Sequence, residues 1–167
     1  MEKLLMKVGL LADTHDRVPA IRDLLNEMIN RSVTLVMHAG DYCSPFALEP
    51  FHETNVALLG IFGRNDGDHE GLRAAAARGM GMELYESPHS FEVSGHRIMI
   101  VHDIGEVNRR SIESHSFVVH GFTHRQETIA RSGTIVVNPG EGCGWISGAC
   151  TAAILDLETR EVEVITI

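Results

Sequence analysis

Three times within the first 80 residues an apolar run ends in a short polar loop bearing an acidic side chain, and a helical pattern follows. The runs 4–12, 34–39 and 56–62 end in ADTHD, AGDYCSP and GRNDGD. After the first loop, Ile21, Leu24, Leu25, Met28 and Ile29 recur at helical spacing over 18–30, with Pro19 suited to a first turn. The pattern is weak over 46–52 and clear over 69–78, where an alanine run favours helix. Nearly continuous apolar strands alternating with helices predict a parallel sheet covered on both faces and joined by right-handed crossovers.

Beyond about residue 83 the texture changes. Short strand-like runs fall at 90–93, 97–101, 116–119, 127–130, 134–137, 151–157 and 161–167, with one helical pattern over 106–114. Gly95, Ser132-Gly133 and Glu158-Thr159 mark hairpin turns between them. The second half therefore reads as largely antiparallel, with two face-to-face sheets using up its strands. No repeat or low-complexity linker divides the chain. Its 167 residues, 44% hydrophobic, suit one domain spanning 1–167 with a buried core.

Fourteen Lys and Arg against 23 Asp and Glu leave a net charge of −9, which excludes a general nucleic-acid binder. The opening MEKLLMKVGLLADTH is too short and too interrupted by charge for a signal peptide or membrane span, so a soluble cytoplasmic protein is expected. Cys43, Cys143 and Cys150 form no CxxC pair and read as buried or idle thiols.

Ligands of parallel α/β sheets bind at the carboxyl ends of the strands. In an extended segment Asp13 and His15 point to the same side, so a carboxylate oxygen and an imidazole nitrogen can meet one cation. Asp41 follows Gly40, whose missing side chain permits close backbone approach, and a carboxylate can bridge two cations. Read singly, these are an exposed polar loop and a turn or helix cap. With His102 after RIMIV and His124 following FVV, five such groups converge on strand ends, a pattern that points to metal. The single Trp145 reads either as a packing residue or as a surface for a base or sugar.

In combination, DTH (13–15), GD (40–41), GRND (63–66), HDI (102–104) and GFTH (121–124) resemble the motifs of calcineurin-like metallophosphoesterases. The likeness is to their small prokaryotic phosphodiesterases in particular. HAGD, the SP of GDYCSP and VNPG extend it over nearly the whole chain. The resemblance implies an α/β fold, a four-layer α/β/β/α sandwich of two mixed sheets with two metals at the sheet edges. It assigns Asp13, His15, Asp41 and His124 to one metal. To the second it assigns Asp41, His102, the asparagine of a GN motif and the first histidine of GHTH.

Two of those last ligands do not match. Phe122 stands at the first histidine of GHTH, and a benzyl group has no lone pair to offer. A gapless reading puts Arg64 at the asparagine position and Asn65 one later; a one-residue loop adjustment would bring Asn65 in instead. Ile104 replaces the second histidine of HGH. One metal site is thus expected intact and the second doubtful. Arg64 cannot ligate a cation, but its fork suits phosphate oxygens and could replace the second charge. The plainer reading turns it to solvent or pairs it with Asp66 or Asp68. His120 either compensates for Phe122 or is an ordinary buried or surface histidine.

Mixed carboxylate and imidazole ligands suit manganese, iron, nickel or zinc. The resemblance implies a metal-dependent phosphoesterase that hydrolyses a small phosphate ester, a phosphodiester above all; Arg64, in place of the second cation, or Asn65, brought to the metal, is expected to take part in catalysis. The alternative is a binding or scaffold protein that kept the fold after catalysis decayed, as in the retromer subunit that shares it. Self-association is common in the family, although no homo-oligomer interface is legible here.

Overall fold

The computed structural model describes residues 6–167. Its first half alternates β1 (Lys7–Leu11), α1 (Val18–Asn30), β2 (Leu35–His38), α2 (Glu49–Thr54), β3 (Ala57–Ile61), α3 (His69–Ala77) and β4 (Met82–Tyr85). The second half holds β5 (His89–Val93), β6 (His96–Val101), α4 (Arg109–Glu113), β7 (Phe117–His120), β8 (Gln126–Arg131), β9 (Thr134–Pro139), β10 (Thr151–Asp156) and β11 (Val162–Thr166). Leu4 and Leu5, included in the first apolar run, lie outside the described residues.

The strands form a six-stranded sheet ordered β11-β10-β1-β2-β3-β4 and a five-stranded sheet ordered β5-β6-β7-β9-β8. In the first, β1 to β4 run parallel, as the alternating pattern predicts, and β10 and β11 add antiparallel beside β1. Three apolar interfaces separate four layers. Leu24, Phe51 and Leu72 pack α1, α2 and α3 on one face of the first sheet. Val8, Leu10, Ile100, Phe117 and Leu155 fill the space between the sheets. Met99, Val118 and Val136 meet Ile112 of α4 on the far face of the second sheet.

Period-two alternation produces this division. In β1, Val8 and Leu10 face the second sheet while Leu11 faces the helices, so both sides of the strand are dry. Full burial of a side chain such as Leu10 or Phe117 contributes about 1.5–3 kcal/mol. Helix α1 starts at a proline in its first turn and buries Ala20, Ile21, Leu24, Leu25 and Met28. Helix α3 starts where the Asp68 side chain accepts the Gly71 N–H at 2.8 Å.

Three expectations need correction. Strand β4 is absent from the sequence reading because it is only four residues long and follows a helix after a short turn, although Met82 and Leu84 are buried and Glu83 is exposed. The helical pattern over 106–114 is broken into a 3-10 turn, Ile104–Glu106, and the short α4. Asn108 starts α4 anew, its side chain accepting the Ser111 N–H. The second half is largely antiparallel, in β5-β6, β8-β9, β1-β10 and β10-β11, but β6-β7 and β7-β9 pair parallel and β10 and β11 return to the first sheet. Hydrophobic alternation fixes which face of a strand is buried but not the direction of its neighbour.

Candidate metal centre

The loops after β1, β2 and β3 continue the parallel alignment of their strands and zip together. Asp13 N–H donates to Gly40 O at 3.0 Å, His15 N–H to Asp41 O at 3.0 Å and Asp16 N–H to Tyr42 O at 2.9 Å. From the second sheet, Gly121 N–H donates to His102 O at 3.0 Å. The loop before β10 closes the ring of contacts, with Gly142 N–H donating to Ala12 O at 2.9 Å and Cys143 N–H to Asp13 O at 3.1 Å.

Two glycines allow this approach. A Cβ on Gly40, at φ +94°, would lie 2.6 Å from Gly63 N, and one on Gly63 would lie 2.2 Å from Asp41 Oδ1. Asp13, His15, Asp41, Phe122 and His124 all take positive φ, at 50°, 36°, 63°, 73° and 62°. Asp13 and His15 are therefore not in the extended segment expected from their spacing. Non-glycine residues in this region carry backbone strain, which clusters at functional sites.

One ligand atom from each of Asp13, His15, Asp41 and His124 falls within 4.8 Å of the others. His15 Nε2 lies 3.4 Å from Asp41 Oδ2, and His124 Nε2 lies 3.8 Å from Asp13 Oδ1. His102 approaches from the opposite side, with Nε2 3.5 Å from Asp41 Oδ1. Asp13 Oδ1, His15 Nε2 and His102 Nε2 are buried and without a hydrogen-bond partner among the described residues. Buried polar atoms are ordinarily paired, so this set is short of a central group. A divalent cation fits it by charge, donor type and spacing.

Partners behind these groups hold them in place. His102 Nδ1–H donates to Ala39 O at 2.8 Å, which leaves Nε2 turned to Asp41. His124 Nδ1–H donates to Glu141 Oε2 at 2.8 Å. Burial alone would raise the Glu141 carboxyl. Hydrogen bonds from the Ser147 hydroxyl, His124 and the N–H groups of Ser147 and Ile146 outweigh it and bring the group down to about 2. Burial pushes Asp13 up to about 6 against the pull of His124 and His102, and it lowers His15. The Nδ1 edge of His15 rests 3.2 Å from the Cys43 sulfur, and burial holds that thiol up at about 11.

His38, Asp66 and Glu141 organise the centre and escape the sequence reading, because none lies in a motif position assigned to a metal. Fully buried His38 accepts the Gly40 N–H at Nδ1 and donates from Nε2 to Thr14 Oγ1, each at 3.0 Å. The signal for Asp66 was the acidic residue of GRND, and that for His38 was the HAGD segment.

At the doubtful side, Asn65 rather than Arg64 reaches Asp41, which corrects the gapless reading. Its backbone N–H donates to Asp41 Oδ1 at 2.9 Å and its Nδ2 to Oδ2 at 2.8 Å. Arg64 turns outward, with Nη2 2.8 Å from Asp103 Oδ2 and 3.1 Å from Glu106 Oε1. Its partners are not Asp66 or Asp68. The Arg64 Cζ lies 4.1 Å over the Phe122 ring, which meets His102 edge-on at 5.8 Å. His120 and Ile104 line a cavity of about 240 Å³ with Ile112 and Val136, on the α4 side, so His120 does not replace the missing imidazole.

A calcineurin-like phosphoesterase superfamily domain matches residues 6–160. Phosphodiesterase MJ0936 of Methanocaldococcus jannaschii is 30% identical over 165 residues, covering 97% of this chain and 99% of its own length. The solved structure of an archaeal phosphodiesterase superposes with a TM-score of 0.90 at 30% identity, covering 97% and 100% of the two chains. The phosphoesterase Yfce of E. coli matches at TM-score 0.70 and 14% identity over 97% and 100%. Vps29 of Chaetomium thermophilum matches at 0.69 and 12% over 97% and 94%, and at such identities the likeness is one of fold. This chain belongs to the calcineurin-like phosphoesterase superfamily.

Proposed function

We propose that this chain is a metal-dependent phosphodiesterase that hydrolyses a small phosphate diester. The observation that carries the reading is the convergence of Asp13, His15, Asp41 and His124, with Asp13 Oδ1 and His15 Nε2 buried and without a hydrogen-bond partner among the described residues. The 30% identity to a phosphodiesterase over nearly full length supports it.

A divalent cation held by those four groups would acidify a water and polarise the phosphoryl oxygens. Manganese, iron, nickel and zinc all suit the donor set. The chain's own groups do the rest. Asn65 fixes both oxygens of Asp41, and Asp66 holds the backbone on which Asp41 sits. Glu141 orients His124 through Nδ1.

The second position holds Asp41, His102 and Asn65 but has an apolar ring where a fourth donor is needed, and we assign the centre a single cation. Arg64 is already offset by Asp103 and Glu106, so it gives the second position little net positive charge. Only its Nη2 takes part in those ion pairs, which leaves Nε and Nη1 for a phosphate oxygen. Residues 1–167 act as one domain in this reading, and the site of action is the cytoplasm. Among the described residues no helix is long and apolar enough to cross a membrane.

The test is turnover of bis(4-nitrophenyl) phosphate against 4-nitrophenyl phosphate with each metal added in turn. Hydrolysis of the diester is expected, with Asp41→Ala and His124→Ala at least about 100-fold slower. No turnover with any metal rejects the enzyme and leaves the scaffold reading.

A further inference from the structure

The loop that supports His124 also brings the chain's one tryptophan to the rim of the centre. Trp145 Nε1–H donates to the backbone oxygen of His15 at 3.3 Å, tying the indole to a candidate metal ligand. Arg17, two residues beyond His15, stacks on the same ring with Cζ 4.6 Å from its centroid. The Arg17 Nη1 donates to Cys143 O at 2.6 Å, so the guanidinium joins the first loop to the tryptophan loop.

The indole is fixed at two points but not covered. Trp145 remains 62% exposed and its neighbour Ile146 77% exposed. A scattered surface apolar residue needs no explanation, but a tryptophan whose ring plane is set by a hydrogen bond and a stacked cation is an oriented surface. Arg17 has no carboxylate within ion-pair distance among the described residues, in a chain of net charge −9. An uncompensated guanidinium beside an aromatic face suits a ligand that is both anionic and aromatic.

We infer that Trp145 is a stacking platform for an aromatic ester group of the substrate, a nucleobase or an aryl ring, with Arg17 holding the platform and facing the anion. Trp145 is thus a specificity-determining residue. The inference rests on the phosphodiesterase reading for the position of the phosphate, at the cluster whose member His15 carries the indole's hydrogen bond. Stacking of one base contributes about tenfold or more in affinity. Discrimination therefore comes from the ester group and not from the phosphate.

Because Trp145 is the sole tryptophan, its emission reports the platform without any turnover. The experiment titrates zinc-loaded protein, excited at the red edge of the indole band, with adenosine 5′-monophosphate, ribose 5-phosphate and inorganic phosphate. Saturable quenching by adenosine 5′-monophosphate is expected, at least about tenfold tighter than any response to ribose 5-phosphate, with no quenching by inorganic phosphate. In turnover, Trp145→Ala raises KM for bis(4-nitrophenyl) phosphate about tenfold relative to KM for a dialkyl diester, and Trp145→Phe, which keeps a ring but loses the hydrogen bond to His15 O, restores part of that difference. Silent emission together with equal affinity for the nucleotide and the sugar phosphate overturns the inference. So does an active enzyme whose KM for the aryl diester ignores Trp145→Ala. Saturable quenching in a protein with no diester turnover upholds the platform and rejects the reaction.

Discussion

The carboxylate of Asp66 holds the backbone of Asp41: its Oδ2 accepts the Asp41 N–H at 2.9 Å. The same oxygen accepts the Gly63 N–H at 2.7 Å, and Oδ1 accepts the Cys43 N–H at 2.8 Å. One buried side chain thereby fastens the loop after β2 to the loop after β3. Burial raises the Asp66 carboxyl, and these three N–H groups oppose it. Asp66→Asn replaces one acceptor oxygen with a donor, which then faces an N–H. The expected cost is about 1–3 kcal/mol in urea unfolding, with weaker metal binding because Asp41 loses its anchor. An unchanged midpoint would show that the loops hold themselves.

Glu141 fixes His124 in the same indirect way. Carboxylates behind metal-binding histidines set the tautomer, and their loss costs about 10–100-fold in metal affinity. Glu141→Gln is expected to weaken metal binding within that range while the far-ultraviolet circular dichroism is retained. Affinity within a factor of two of the parent would remove Glu141 from the centre.

Phe122 is the residue on which the proposal of a single cation rests. Phe122→His places an imidazole beside His102 and withdraws the ring beneath Arg64. The expected outcome is a rise from one to two metal ions per chain, read by elemental analysis after dialysis. A value that stays at one would mean that the outward turn of Arg64, or Ile104, also keeps the second ion out.

His38 makes the metal-free protein acid-sensitive. Complete burial, followed by repulsion from His102 and His15, lowers its pKa from 6.5 to about 3. The depressed value means that the unfolded chain takes up the proton first. The stabilisation is whole above pH 6.5 and is lost as pH falls from there toward 3. The slope is about 1.4 kcal/mol per pH unit. Urea melts of metal-free protein at pH 7, 6 and 5 are expected to lose stability more steeply than those of His38→Gln, the difference being about this slope. Parallel slopes in the two proteins would contradict the assignment.

Much of this was legible in the chain itself. The run over 18–30 predicts α1 to the residue because its apolar face, first-turn proline and polar face agree. The four groups of the candidate metal cluster could be brought together on paper because each lies in a loop after a strand, where topology rather than packing decides what meets. Sequence spacing could not reveal that Asp13 and His15 converge through left-handed backbone. It could not choose between Arg64 and Asn65 either, since a one-residue shift within a tight loop exchanges which side chain faces in. Strand direction in the second sheet was likewise hidden, because β6, β7 and β9 carry the same buried alternation whether they pair parallel or antiparallel. Asp66, although the acidic residue of GRND, and Glu141 act through hydrogen bonds to backbone and imidazole, which the sequence does not reveal.

The most direct test is the number of manganese ions bound per chain after equilibrium dialysis, compared between the parent protein, Asp41→Ala and His124→Ala. One ion in the parent and none retained in either variant is the expected result. A parent that binds none, or variants that keep the ion with unchanged affinity, would contradict a centre built from Asp13, His15, Asp41 and His124.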